Sequence, residues 1–285
     1  MRWPADEAQL RRMSLEDKTF LLGVGAQKAG TTWLHRYLMQ HPDVYMSPLK
    51  ELHYFDTKEP RKSEAVRSRL AEVRAKALRA SKTGRAERLA ARLGVVDDKS
   101  YRNYFETQTP DRAKMFGEIT PAYAHLPEAE FRSIRALFPS VRIIFILRDP
   151  VKRMASEIGM HKKLGRPGKA RVDDDRTLRR AMNPESPLRL AYEETITRLE
   201  SVFAEDELIY LFYETLFRQE TIDALCARLG ISEQPADFTA VYAAASHHAD
   251  TARETAENAR AGFQSTYEFC RRKFGSALPA EWSAD

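Results

Sequence analysis

Apolar positions along the chain fall into short continuous runs separated by amphipathic stretches, and that alternation predicts strands and helices in turn. The first run, Thr19-Phe-Leu-Leu-Gly-Val-Gly25, is strand-like in its length and in its aromatic and β-branched members. A glycine-containing turn follows, and Thr31 to Gln40 then sets Trp33, Leu34, Tyr37 and Leu38 on one helical face. His41-Pro42 ends that helix, because the residue before a proline is pushed out of the helical region. Short strands are expected over Asp43 to Met46 and Met115 to Ile119, and a helix over Pro127 to Phe138 with proline at its start.

Val141-Arg-Ile-Ile-Phe-Ile-Leu147 is the strongest strand signal, and its unbroken apolar character predicts a central parallel strand buried on both faces. Further helices are expected over Val151 to Leu164, Leu188 to Phe203, Phe217 to Leu229 and Ala252 to Phe274. A core strand is expected over Glu207 to Tyr213, and a charged, glycine-containing loop over Arg166 to Asp175. Strands alternating with helices predict an α/β fold, a central and mostly parallel sheet between helical layers, in one domain spanning 1–285.

Residues 61–92 depart from this alternation. They hold eleven Lys or Arg against three Glu, a surplus of eight positive charges, with Leu and Ala at helical spacing. The segment is expected to be a basic helical excursion, broken near Gly84. A solvated helix face accounts for such a run, and so does recruitment of an anionic acceptor.

With 43% hydrophobic and 31% charged residues, the 285-residue chain has the composition of a folded domain, which excludes wholesale disorder. The net charge of +5 suits an anionic ligand without demanding one. The two cysteines, Cys226 and Cys270, have no metal-ligand spacing and are expected to be reduced and packed as small apolar residues. The polar N-terminus and the lack of a long apolar run predict a soluble, cytoplasmic protein with no membrane span. No nucleic-acid-binding motif accompanies the positive charge.

The segment with the most chemical content is Gly25-Ala-Gln-Lys28-Ala-Gly30-Thr31-Thr32-Trp33, between the first strand and the first helix. Such a turn presents backbone N–H groups and the positive end of a helix dipole to an anion. Gly25 and Gly30 have the spacing of a nucleotide-binding G-x-x-x-x-G-K-[ST] loop, but Thr31 stands where its lysine would be and Lys28 sits inside the loop. The loop still cradles a phosphate in this reading, while its lysine reaches a different atom.

The run Gln27-Lys-Ala-Gly-Thr-Thr-Trp-Leu34 resembles the 5′-phosphosulfate-binding loop of sulfotransferases that use 3′-phosphoadenosine-5′-phosphosulfate (PAPS). Ile146-Leu-Arg148-Asp-Pro-Val-Lys-Arg-Met-Ala-Ser156 resembles the 3′-phosphate-binding segment of that family, an arginine followed eight positions later by a serine. An arginine fork matches phosphate oxygens, and a serine hydroxyl adds a donor. Family members more often have asparagine where Asp149 stands. Lys50-Glu51-Leu-His53-Tyr-Phe55 is similar to the catalytic segment of heparan-type and bacterial members, in which the matching glutamate is the general base. Leu208 to Glu214 is similar to a strand whose last tyrosine, here Tyr213, lies near the adenine, and Trp33 matches another adenine contact. Gly117-Glu-Ile-Thr-Pro121-Ala-Tyr123 is similar to a segment bordering the acceptor pocket.

The resemblance implies a P-loop-like α/β sulfotransferase, with PAPS as co-substrate and no metal required. Lys28 would stabilise the leaving oxygen, and Ala29, Gly30, Thr31 and Thr32 would hold the 5′-phosphate. Arg148 and Ser156 would hold the 3′-phosphate. Glu51 is the base by similarity, whereas His53, with an ordinary pKa near 6.5, is the base by chemistry. If the segment is extended, residues 51 and 53 share one face. The acceptor, a hydroxyl or amine of a small molecule or a saccharide, with an anionic one among the candidates, is expected between residues 50–126 and 158–200. The glycine- and basic-rich C-terminal loop that covers the nucleotide in several branches is not spelled out, although His247, His248 and Arg253 occupy that part of the chain. Two other readings stay open: a Mg-dependent nucleotide kinase-like enzyme with Asp149 as metal ligand, and a non-catalytic anion- or saccharide-binding module. Oligomeric state is not encoded in these motifs.

Overall fold

β1 (Thr19–Gly25) lies at the middle of a five-stranded sheet, flanked by β3 (Met115–Ile119) and β4 (Val141–Leu147). β2 (Val44–Met46) extends the sheet beyond β3, and β5 (Leu208–Phe212) extends it beyond β4, giving the order β2-β3-β1-β4-β5 with every pairing parallel. The structure, a computed structural model, describes residues 14–58, 60–80, 82–163, 191–239 and 260–282. β4 is an inner strand, as its apolar run predicts, with Ile143 to Leu147 all buried. Gly117 allows β3 and β1 to approach, since a Cβ there would lie 1.8 Å from the Leu21 carbonyl oxygen. Any side chain at 117 would part the two strands.

Helices connect the strands: α1 (Thr31–Gln40), α2 (Pro60–Arg79), α3 (Thr83–Leu93), α4 (Asp98–Glu106), α5 (Glu128–Leu137), α6 (Pro150–Lys163), α7 (Tyr192–Glu200), α8 (Gln219–Leu229) and α9 (Gln264–Phe274). On one side of the sheet Phe20 stacks on Phe138 at 4.1 Å, and Phe105 from α4 meets Phe20 edge-on at 5.8 Å. Tyr101 and Phe116 complete this fully buried aromatic layer. Each such ring removes enough apolar surface from water to contribute about 1.5–3 kcal/mol.

The basic excursion is a helical hairpin, α2 packed on α3. Its break falls one turn earlier than Gly84, where the Lys82 N–H reaches back to the Ala77 carbonyl (2.8 Å) and closes α2 with a wide turn. Gly84 lies inside the first turn of α3. Ala77, Ala86 and Leu89 are buried, Lys82, Arg85 and Arg88 are exposed, and Arg92 is only 3% exposed. α4 is an element that the apolar pattern did not flag. Tyr213 does not end β5 but opens a single helical turn, Tyr213–Leu216. Among the described residues, no helix is long and apolar enough to cross a membrane.

Candidate active site

At the C-terminal end of β1 the chain turns through Lys28, at φ +69°, and Gly30, at φ +87°, into α1. The Ala26 N–H donates to the Ile146 carbonyl (2.8 Å), tying the loop to β4, and the Ala29 N–H donates to the Ala26 carbonyl (3.2 Å). Gly30 has two reasons to be glycine: its left-handed backbone, and a Cβ that would lie 2.8 Å from Leu216 Cδ2. The N–H groups of Thr31 and Thr32 belong to the first turn of α1, which has no intrahelical acceptors for them. That leaves them to an anion, at the positive end of the helix.

Lys28, Gly30, Thr31, Thr32 and Trp33 line a cleft that is also lined by Glu51, Arg148, Ser156 and Tyr213. Residues spread over nearly two hundred positions are thereby brought to one place by the ends of β1, β4 and β5. Ala29 is fully buried beneath the loop. Trp33 is 5% exposed and stacked against Phe238 at 5.6 Å. Its indole N–H donates to the Asp237 carbonyl (2.9 Å), so only part of the ring faces the cleft.

Arg148 is held at several points. Its Nη1 donates to the Lys28 carbonyl (2.8 Å), and its guanidinium carbon lies 4.1 Å over the Tyr213 ring. The Tyr192 hydroxyl donates to the Arg148 carbonyl (2.7 Å) and accepts from its N–H (3.2 Å). Tyr192 was not singled out in the sequence. Arg148 Nε is buried and has no hydrogen-bond partner among the described residues. A buried guanidinium donor left open is costly without an anion to take it, so the residues present fit a phosphate here.

Asp149 has other work. Its Oδ1 accepts the Lys152 N–H (2.9 Å) and caps α6, while its Oδ2 accepts the Tyr267 hydroxyl (2.8 Å) from α9. With both oxygens hydrogen-bonded and the residue 3% exposed, Asp149 is a fold-holding residue, and its placement is accounted for without a ligand role.

The segment after β2 carries Glu51 at φ +63° and His53 at φ +51°. It is not extended, as the shared-face expectation requires, yet the two side chains still meet, with His53 Nε2 3.6 Å from Glu51 Oε2. Together with Lys28, these are the non-glycine residues with left-handed backbones among the described residues. Such conformations cost energy and persist only where surroundings impose them. Glu51 also contacts Lys50 Nζ. The neighbouring His53 imidazole, opposed by burial and reinforced by Lys50, holds the Glu51 pKa down at about 2. Burial works against a charged His53, but Asp56, 2.8 Å from its Nδ1, and Glu51 outweigh it and raise its pKa to about 9. A pKa of about 9 favours the charged form of His53 at neutral pH, which speaks against it as the base; it is also not among the residues lining the cleft. His247, His248 and Arg253 lie outside the described residues.

The model of the sulfotransferase family matches residues 21–235. Among solved structures, a sulfotransferase from Alicyclobacillus acidocaldarius is 20% identical, with 94% of this chain and 99% of that one covered and a TM-score of 0.66. The sulfotransferase domain of the Synechococcus PCC 7002 olefin synthase is 17% identical, with 82% and 78% covered and a TM-score of 0.48. No curated protein sequence matches the chain. At these identities the first structure speaks for the α/β fold alone. The family match, however, runs from β1 through α8 and includes the phosphate loop, Glu51, Arg148 and Tyr213, and on that ground the chain belongs to the sulfotransferase family.

Proposed function

We propose that the protein transfers the sulfuryl group of PAPS to a hydroxyl or amine of an anionic acceptor. The observation that carries this reading is the cleft itself, where Lys28, Glu51 and Arg148 meet around a phosphate-type loop. The sulfur passes in line from the bridging phosphate oxygen to the acceptor atom; the old S–O bond breaks as the new S–O or S–N bond forms. Negative charge grows on the departing phosphate. Lys28 and the first-turn N–H groups of α1 stabilise it, and 3′-phosphoadenosine-5′-phosphate (PAP) leaves. Glu51 takes the acceptor's proton. A carboxylate held near pKa 2 is a weak base, so proton transfer follows bond formation, when the attached sulfuryl group has made the proton acidic. Arg148 and Ser156 bind the 3′-phosphate, and Tyr213 and the exposed part of Trp33 flank the adenine.

An anionic acceptor, such as an acidic or already sulfated saccharide, is supported by the exposed basic residues of the α2–α3 hairpin, whose base adjoins the Glu51 segment. Calorimetric titration with PAP in the presence of a chelator, alongside ATP with Mg²⁺, tests the reading. PAP is expected to bind without metal, and Lys28→Ala is expected to weaken PAP modestly while abolishing release of PAP from PAPS in the presence of acceptor. Preference for Mg²⁺–ATP, or absence of PAP binding, would overturn it.

A further inference from the structure

Glu51 and His53 both hold left-handed backbones, and the residue between them, Leu52, is gripped from two sides. The Leu52 N–H donates to Glu118 Oε2 (3.1 Å), and the Leu52 carbonyl accepts from Arg92 Nε. Arg92 Nη2 also donates to the His53 carbonyl (3.1 Å), and its Nη1 to the Val95 carbonyl (3.2 Å). We propose that Arg92 and Glu118 are positioning residues, a buried cation and a buried anion clamped across one residue, Leu52, so that Glu51 faces Lys28 in the cleft. The proposal rests on the reading of Glu51 as proton acceptor.

Several features of the two side chains point the same way. Arg92 is 3% exposed and Glu118 is fully buried, on elements the sequence does not connect, α3 and β3. Placing two charges in the interior is expensive unless hydrogen bonds compensate. Here they do. Glu118 accepts from Thr120 (2.6 Å), Tyr101 (2.7 Å), Tyr123 (3.0 Å) and Leu52, and burial still pushes its carboxyl up from the ordinary range. Tyr123 passes the grip onward by accepting the Tyr54 N–H (2.9 Å). Arg92 donates to the backbone carbonyls of Leu52, His53 and Val95. A guanidinium that ties two successive carbonyls fixes the backbone between them, which is what left-handed residues on either side of Leu52 require. The basic hairpin thus does more than present charge: its last turn supplies one jaw of the clamp.

The ring of His53 reports the clamp, because its high pKa depends on Glu51 and Asp56 both lying beside it. The midpoint is read by NMR titration of the His53 imidazole in the full chain. Deleting the Arg92 charge would by itself raise the midpoint, whereas releasing the segment lowers it, so the sign separates the two effects. Wild type is expected to titrate near 9, and Arg92→Met to fall by about one unit or more toward the ordinary value, with PAP affinity by calorimetry unchanged. Arg92→Lys keeps the buried charge but cannot span two carbonyls with a planar fork; it carries the same expected fall if Arg92→Met does not fold. A midpoint that stays or rises in a folded variant overturns the clamp. So does a fall accompanied by loss of PAP binding, which marks general unfolding. Failure of wild type to bind PAP overturns the functional reading instead, and leaves the titration of His53 to judge the clamp.

Discussion

The open Nε of Arg148 makes a sharp test of which phosphate this arginine serves. A guanidinium carries five N–H donors. One, on Nη1, is taken by the Lys28 carbonyl, and Nε is buried without a partner among the described residues. If that face meets the 3′-phosphate, Arg148→Ala removes a charge-assisted hydrogen bond from PAP and none from adenosine 5′-monophosphate, which lacks the group. Hydrogen bonds to charged partners contribute about 1.5–3 kcal/mol, so the variant should weaken PAP about 10- to 150-fold more than it weakens the monophosphate.

The comparison is a cycle over two proteins and two ligands, and effects common to both ligands cancel. Arg148→Ala also frees the Lys28 carbonyl and uncovers the Tyr213 ring. Those losses loosen the loop for either nucleotide and drop out of the ratio. Calorimetry at one fixed ionic strength measures all four constants. Arg148→Lys restores charge without the fork, and its ratio should fall between wild type and alanine. A ratio near one would show that Arg148 acts only through the loop, and the assignment of the 3′-phosphate to it would be refuted.

Gly30→Ala should destabilise the protein by at least about 1–2 kcal/mol from its left-handed backbone alone, with a further loss from the contact with Leu216; a thermal midpoint equal to wild type would contradict the loop geometry. The Glu51–His53–Asp56 cluster predicts a signed pH dependence. The His53 pKa is raised from 6.5 to about 9, so its stabilisation is complete below 6.5 and is lost as pH rises through 9. Glu51, lowered from 4.5 to about 2, stabilises above 4.5 and loses that as pH falls toward 2. The gap in thermal midpoint between wild type and His53→Gln should therefore close between pH 6.5 and 9, and a gap independent of pH would refute the cluster. Both side chains are more than a third exposed, so the effect stays below about 1 kcal/mol.

The strands were legible because sheet burial writes an unmistakable pattern: β1 and β4 are nearly continuous apolar runs, and both are inner strands. The phosphate loop was legible because glycine spacing, strand and helix lie within one short segment. α4 was also written in the chain, though less loudly, since Asp97 caps the N–H of Ser100 (2.7 Å) and Tyr101, Tyr104 and Phe105 follow at helical spacing. The bonding roles of Arg92, Glu118 and Tyr192 were not legible, although Glu118 lies within the segment 117–123 that the sequence singled out. Each bonds to backbone about 40 or more residues away, and no local spacing encodes such a bond. Arg92 was hidden further by its company, because ten other basic residues in the same excursion made it read as one more solvated charge. What sets it apart is burial, which only the tertiary fold confers. The same logic explains Asp149: where the sequence suggests a departure from a family asparagine, the fold turns the acid into a cap for α6 and an anchor for Tyr267. The groups proposed to meet ligand are thus announced by local motifs, whereas the groups proposed to aim them are drawn from distant elements whose bonds depend on tertiary closure.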